Sequence, residues 1–157
     1  MSKIIDNIYR LHNNPFIFTP IIIEFYKNYY GQKNDILLSY LVLPLVLHEE
    51  TRNTLKYTKV TSSLYTFGRK KENYFGLQDR IGEYIEITNM CLQNAIDNEF
   101  IKIDDNLQIH VIKKQTKLEP DIKDFIKAAS NLPKLIKDFD VVAVYRLLGV
   151  KKLWKHI

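Results

Sequence analysis

EITNMCLQNAIDNEFIKIDDNLQIHVIKK, residues 86–114, passes from a helix-period pattern to a strand-period pattern with no linker between them. In the first half Ile87, Met90, Cys91 and Ala95 form one stripe, flanked by Leu92 and Ile96, which leaves Asn89, Gln93 and Asp97 for solvent. In the second half two apolar, extended arms, 100–103 and 107–112, are joined by Asp104-Asp105-Asn106, short polar residues that suit a tight turn. Helix then hairpin is the order in which a winged helix ends. The expected fold is therefore mainly α with a small β-hairpin. A winged-helix core is expected over about 62–114 and extra helices over 14–52 and 120–149, all within a single domain.

A winged helix usually suggests DNA, with the last helix in the major groove and the wing on phosphate. This helix carries Glu86, Asp97 and Glu99 and no Lys or Arg from 86 to 99. It would repel the phosphates that supply most of the affinity. The sequence thus favours a domain that holds proteins.

The chain has 157 residues, 46% hydrophobic and 26% charged, with a net charge of +5, the profile of an ordinary globular protein of one domain. Its cations come in groups: Arg69-Lys70-Lys71, Lys113-Lys114 with Lys117, and Lys151-Lys152 with Lys155. Each reads first as solvated surface, and together they would suit nucleic acid or an acidic partner. One cysteine, Cys91, excludes an intramolecular disulfide; it is expected to be buried and inert in a reduced, cytoplasmic setting. Residues 1–16 lack the apolar core of a signal peptide. The most apolar run, ILLSYLVLPLVL at 36–47, is 12 residues long against the ~20 needed to span a bilayer. No membrane is expected as a partner.

Along the chain, Asn14 and Pro15 are placed to open a first helix reaching Tyr30. Asn34 or Asp35 is placed to cap a buried helix reaching about Arg52 and kinked at Pro44. Residues 53–61 read as an exposed loop, and two short helical segments follow between Ser62 and Glu83, parted near 68–73. The second of these, with Tyr74, Leu77, Ile81 and Tyr84 or Ile85 on one face, is the expected middle helix of the winged helix. After the hairpin, helix is expected from Pro120 or Asp121 to Ala129, broken at Leu132-Pro133. Short helices should follow at 133–138 and 141–148, with Gly149 as a left-handed cap.

Chemistry is thin. His48-Glu49-Glu50 lacks the second histidine of a zinc helix, Arg52 standing in its place, and His12, His110 and His156 have no ligand spacing. The five glycines stand singly, so there is no phosphate loop. No catalytic residue, metal or cofactor is expected, and the chain reads as a non-enzyme. Aromatic residues reach 12%, with Tyr26, Tyr29 and Tyr30 close together after Phe16 and Phe18. Such residues anchor interfaces, though packing inside a core is their commoner use.

The order of motifs adds a resemblance. Asn14-Pro15-Phe16, LVLPLVLH at 41–48 with Thr51-Arg52, RIGEYIEITNMCLQNAIDNEFIKIDDN at 80–106 and AASNLPKLIKDFDVVAVYRLLGVK at 128–151 together resemble the middle component of bacterial ABC three-component systems. The chain differs from that family at Leu132-Pro133-Lys134 and Gly68-Arg69-Lys70, where a Gly-Arg-Trp-like turn and a Trp-bearing helix are more usual. The resemblance implies an accessory subunit beside an SMC-like or Rad50-like ATPase and a separate effector, expected to be a nuclease. Lamassu-type defence against phages and plasmids is one branch of that family. Partner contacts are then expected at Tyr29, Tyr30, Arg52, Lys151, Lys152 and Trp154, residues chosen for exposure. The competing expectation is a DNA-binding winged helix acting through Lys113, Lys114 and Lys117.

Overall fold

The computed structural model describes residues 14–113, 118 and 120–151. Lys114, Lys117, Lys152 and Trp154 lie outside the described residues, as do His12 and His156. Helix α1, Pro15–Lys27, opens as its sequence predicts: Pro15 stands at the first helical position and the Asn14 side chain accepts from Phe16 N–H at 3.1 Å. Phe18, Ile21, Ile22, Ile23, Phe25 and Tyr26 are all buried, so α1 is enclosed rather than amphipathic. It stops at Lys27, three residues short of the expected end.

The expected buried helix from 35 to 52 is in fact three pieces: a 3₁₀ turn (Asp35–Leu38), α2 (Ser39–Val46) and α3 (Glu49–Lys56). Pro44 is accommodated inside α2, and the break falls at His48, whose backbone is extended (φ −79°, ψ 123°). A break there exposes the last carbonyls of α2, and Arg52 reaches back to them, donating to Val46 O at 3.3 Å and Leu47 O at 3.1 Å. The new helix then extends through Lys56, into the stretch expected to be loop. Leu55 is fully buried there, and Asn131 Nδ2 caps its end by donating to Leu55 O at 2.9 Å and Lys56 O at 3.2 Å.

Helix α4 (Leu64–Gly68), capped by Ser63, and a 3₁₀ turn (Lys71–Asn73) lead to α5, Leu77–Asp97. This 21-residue helix replaces the two that were expected. Between its halves only Gly82 disfavours helix, by about 1 kcal/mol, and no cap or proline stops propagation. The separate middle helix is therefore absent, and only the order of helix followed by hairpin remains of the expected winged-helix core. Met90 and Ile96 also turn outward, 48% and 37% exposed, while Thr88 takes an inward place. The helix ends with Glu99 at φ +57°, and Phe100 N–H bonds Ala95 O at 2.8 Å.

Strands β1 (Ile101–Ile103) and β2 (Ile109–Val111) pair antiparallel, Ile101 opposite Val111 and Ile103 opposite Ile109. The turn includes Leu107, at φ +55°, rather than starting the second arm with it. Its carbonyls explain why: Asn106 O accepts from Asn34 N–H at 2.9 Å and Leu107 O from Ile36 N–H at 3.1 Å. The hairpin tip is thus bound to the α1–α2 connection.

Helix α6, Lys123–Ile136, runs through Pro133, merging two expected helices, and α7, Val141–Leu147, ends at Gly149 (φ +74°) as expected. Helices α5 and α6 pack on α1, α2 also packs on α5, and α3 on α6. The core therefore centres on α1, and among the described residues no helix is long and apolar enough to cross a membrane.

Candidate interaction surface

Asp35 organises the ground around the hairpin. Its carboxylate is fully buried and accepts from Ile109 N–H at 2.8 Å and Gln32 N–H at 3.0 Å, joining β2 to the α1–α2 connection. Burial raises its pKa above the usual carboxylate range, opposed by those two N–H bonds. Sequence reading treated Asp35 only as a helix cap; its bond is to a strand 74 residues away, which no local pattern reports. Beside it Tyr26 Oη donates to Asp35 O at 2.7 Å. Gly31 holds φ +79°, and a Cβ there would meet the Gln108 side chain.

A groove of about 390 Å³ opens between the end of α1 and β2. Three of the residues proposed from sequence, Tyr29, Tyr30 and Lys113, line it together, with Lys27 and residues 108–112. Tyr30 is 99% exposed, whereas Tyr29 is half-buried and stacks on Phe25 with ring centroids 5.3 Å apart. Lys113 is exposed, its ammonium 5.1 Å from the Phe100 ring centroid. Lys27 was not singled out from sequence; its signal was its place in the last turn of α1.

The other sequence candidates lie elsewhere. Arg52 is 7% exposed, its guanidinium occupied by the α2 carbonyls and 4.5 Å from the Phe125 ring centroid. It lacks the exposure for which it was chosen, because a helix end needed its donors. Lys151 is exposed and its backbone N–H bonds Gln78 Oε1 at 3.1 Å. The basic cluster at 69–71 is divided: Lys70 lines a hydroxyl-rich hollow against α3 and α4, and Lys71 a shallower one with His48, Glu50 and Phe75.

Asp104, His48 and Cys91 are engaged within the fold. Asp104 accepts from Asn106 N–H at 2.8 Å, Gln108 N–H at 3.0 Å and pairs with His110 Nε2 at 2.7 Å, which holds its carboxyl below the usual range. His48 pairs with Glu50 at 2.9 Å and Thr51 at 2.8 Å; burial and the Arg80 charge lower its pKa. Burial pushes the Cys91 thiol up to about 12, its Sγ donating to Pro15 O at 3.3 Å. Among the described residues no group of three or more His, Cys, Asp or Glu is placed to hold a metal ion.

The family model of the ABC-three component (ABC-3C) system Middle Component 3 matches residues 2–152 of this chain, and the chain belongs to that family. Neither a curated protein nor a solved structure matches it.

Proposed function

Since the chain is an ABC-3C middle component, we propose that it is the non-catalytic accessory subunit of an SMC-like ATPase defence complex. It bridges the ATPase to an effector, a nuclease, and holds that effector inactive until foreign DNA is sensed, in a Lamassu-type response in the cytoplasm. Membership of a multi-component family is the observation that carries this reading. The physical support is a surface suited to proteins: an exposed Tyr30 beside the hairpin, and a long helix whose outer face bears Glu83, Glu86 and Asp97 without a cation from 81 to 99. No cofactor is assigned. Co-expression with the native neighbouring genes, affinity purification and mass spectrometry at moderate salt test it. An SMC-like ATPase and an effector should come through; recovery of a lone monomer refutes the reading.

A DNA-contacting role is the second reading, favoured by the exposed Lys113 after the hairpin, with Lys114 and Lys117 following in sequence. It retains the winged-helix comparison for α5 and the hairpin. Binding would then weaken by about 0.9 log unit per log unit of salt for each phosphate neutralised. Glu at all three positions should abolish it; unchanged binding removes the hairpin lysines from consideration.

A further inference from the structure

We infer that the outer edge of β2 is a strand-addition site for an extended, acidic segment of a protein partner; this rests on the accessory-subunit reading and places one of its interfaces. Antiparallel pairs alternate between those that exchange hydrogen bonds and those that do not. Asp104 N–H bonds Gln108 O at 3.1 Å and Ile112 N–H bonds Phe100 O at 2.8 Å, so the hydrogen-bonded pairs are 104–108, 102–110 and 100–112. Ile109 and Val111 belong to the other pairs, and their backbone groups point away from β1. Ile109 N–H confirms the direction, since it bonds Asp35 on that side at 2.8 Å. Ile109 C=O, Val111 N–H and Val111 C=O face the same way, and none of the described residues bonds them.

An exposed edge of this kind is a template for another strand, and main-chain bonds with side-chain pockets are how peptides use it. Here the edge opens into the groove walled by Tyr29 and Tyr30, so an incoming strand finds backbone partners on one side and aromatic surface on the other. The charge of the occupant follows from the walls. Among the described residues Lys27 and Lys113 line the groove and no carboxylate does. The carboxylates behind its walls are already engaged: Glu24 lies 3.7 Å from Lys27, Asp104 pairs with His110 at 2.7 Å, and Asp35 accepts from Ile109 N–H at 2.8 Å. Asp35 caps the first outward N–H, so added-strand bonds begin at Ile109 C=O and Val111 N–H.

Amide hydrogen exchange at Val111 tests the inference on the full chain, alone and in the complex purified with its neighbouring gene products. The Val111 amide should exchange freely alone and slow at least tenfold in the complex. Val111→Pro removes that N–H without touching the β1 ladder, which edge strands tolerate, and should weaken assembly at least tenfold with the circular dichroism spectrum unchanged. Lys27→Glu with Lys113→Glu should weaken it comparably. An intact complex with unchanged Val111 exchange overturns the edge site while leaving the accessory role standing, and failure of the wild-type chain to assemble overturns both. Protection in the isolated chain overturns it in favour of the chain's own segment, or of a second copy if the protection rises with concentration. Full-strength binding by the double Lys variant overturns the acidic partner.

Discussion

Replacing Asp35 with alanine tests whether one side chain holds the hairpin to the helical body. Its carboxylate is fully buried and accepts from two backbone amides, Ile109 at 2.8 Å and Gln32 at 3.0 Å. Alanine leaves both donors unmet, at about 1–3 kcal/mol each. Removing a buried charge returns part of that, and the raised pKa of Asp35 shows that its burial is unfavourable. The net loss should be about 2–4 kcal/mol, which in a domain of this size lowers Tm by roughly 4–16 °C. Urea unfolding followed by circular dichroism measures it, with exchange at the Ile109 amide as the local readout. Asp35→Asn keeps one acceptor and should lose less. The pH dependence has a definite sign: the folded pKa lies above the unfolded one, so this contribution is full below about pH 4 and is lost as pH rises through the folded value. Wild type should therefore gain on Asp35→Asn during acidification. A loss under about 1 kcal/mol from alanine, with Ile109 still protected, would refute the argument, since even one unmet donor costs about that much.

Arg52→Met keeps the buried stem but strips the donors from Val46 O and Leu47 O, and should cost about 1–3 kcal/mol in urea unfolding; a neutral result would mean water replaces them. Gly31→Ala forces a side chain to φ +79° and should cost about 1–2 kcal/mol from backbone strain, read by the same assay. Cys91, 1% exposed with its thiol near 12, should resist a thiol-specific reagent at pH 8 in the native protein and react fully in urea. Tyr30→Ser should leave stability within about 0.5 kcal/mol of wild type, as for surface substitutions generally, yet weaken recovery of the partners in the co-purification; equal recovery would take Tyr30 out of the interface.

Local chemistry was enough to place the first cap at Asn14-Pro15, the helix–hairpin order across 86–112, the polar turn at Asp104, the burial of Cys91 and the left-handed cap at Gly149, because each depends on neighbours a few residues apart. It also picked out Tyr29, Tyr30 and Lys113, from aromatic clustering and charge. Their convergence on one groove came from the docking of a hairpin against the end of α1, an event between distant segments. The errors have the same origin. Pro133 was read as a stronger break than it is, since packing holds it inside a helix. The helix of Leu77 and Ile81 and that of Ile87 were read as two, a separation that propagation overrides. Arg52 was chosen for exposure, while its partners are carbonyls freed by a chain break at His48. The sequence alone determined the cap at Asn14, the helix–hairpin order and the turn at Asp104; the tertiary structure decided which carbonyls and amides were left to meet, and therefore that Asp35 and Arg52 hold the fold while, among the described residues, the β2 edge beyond Ile109 N–H has no partner.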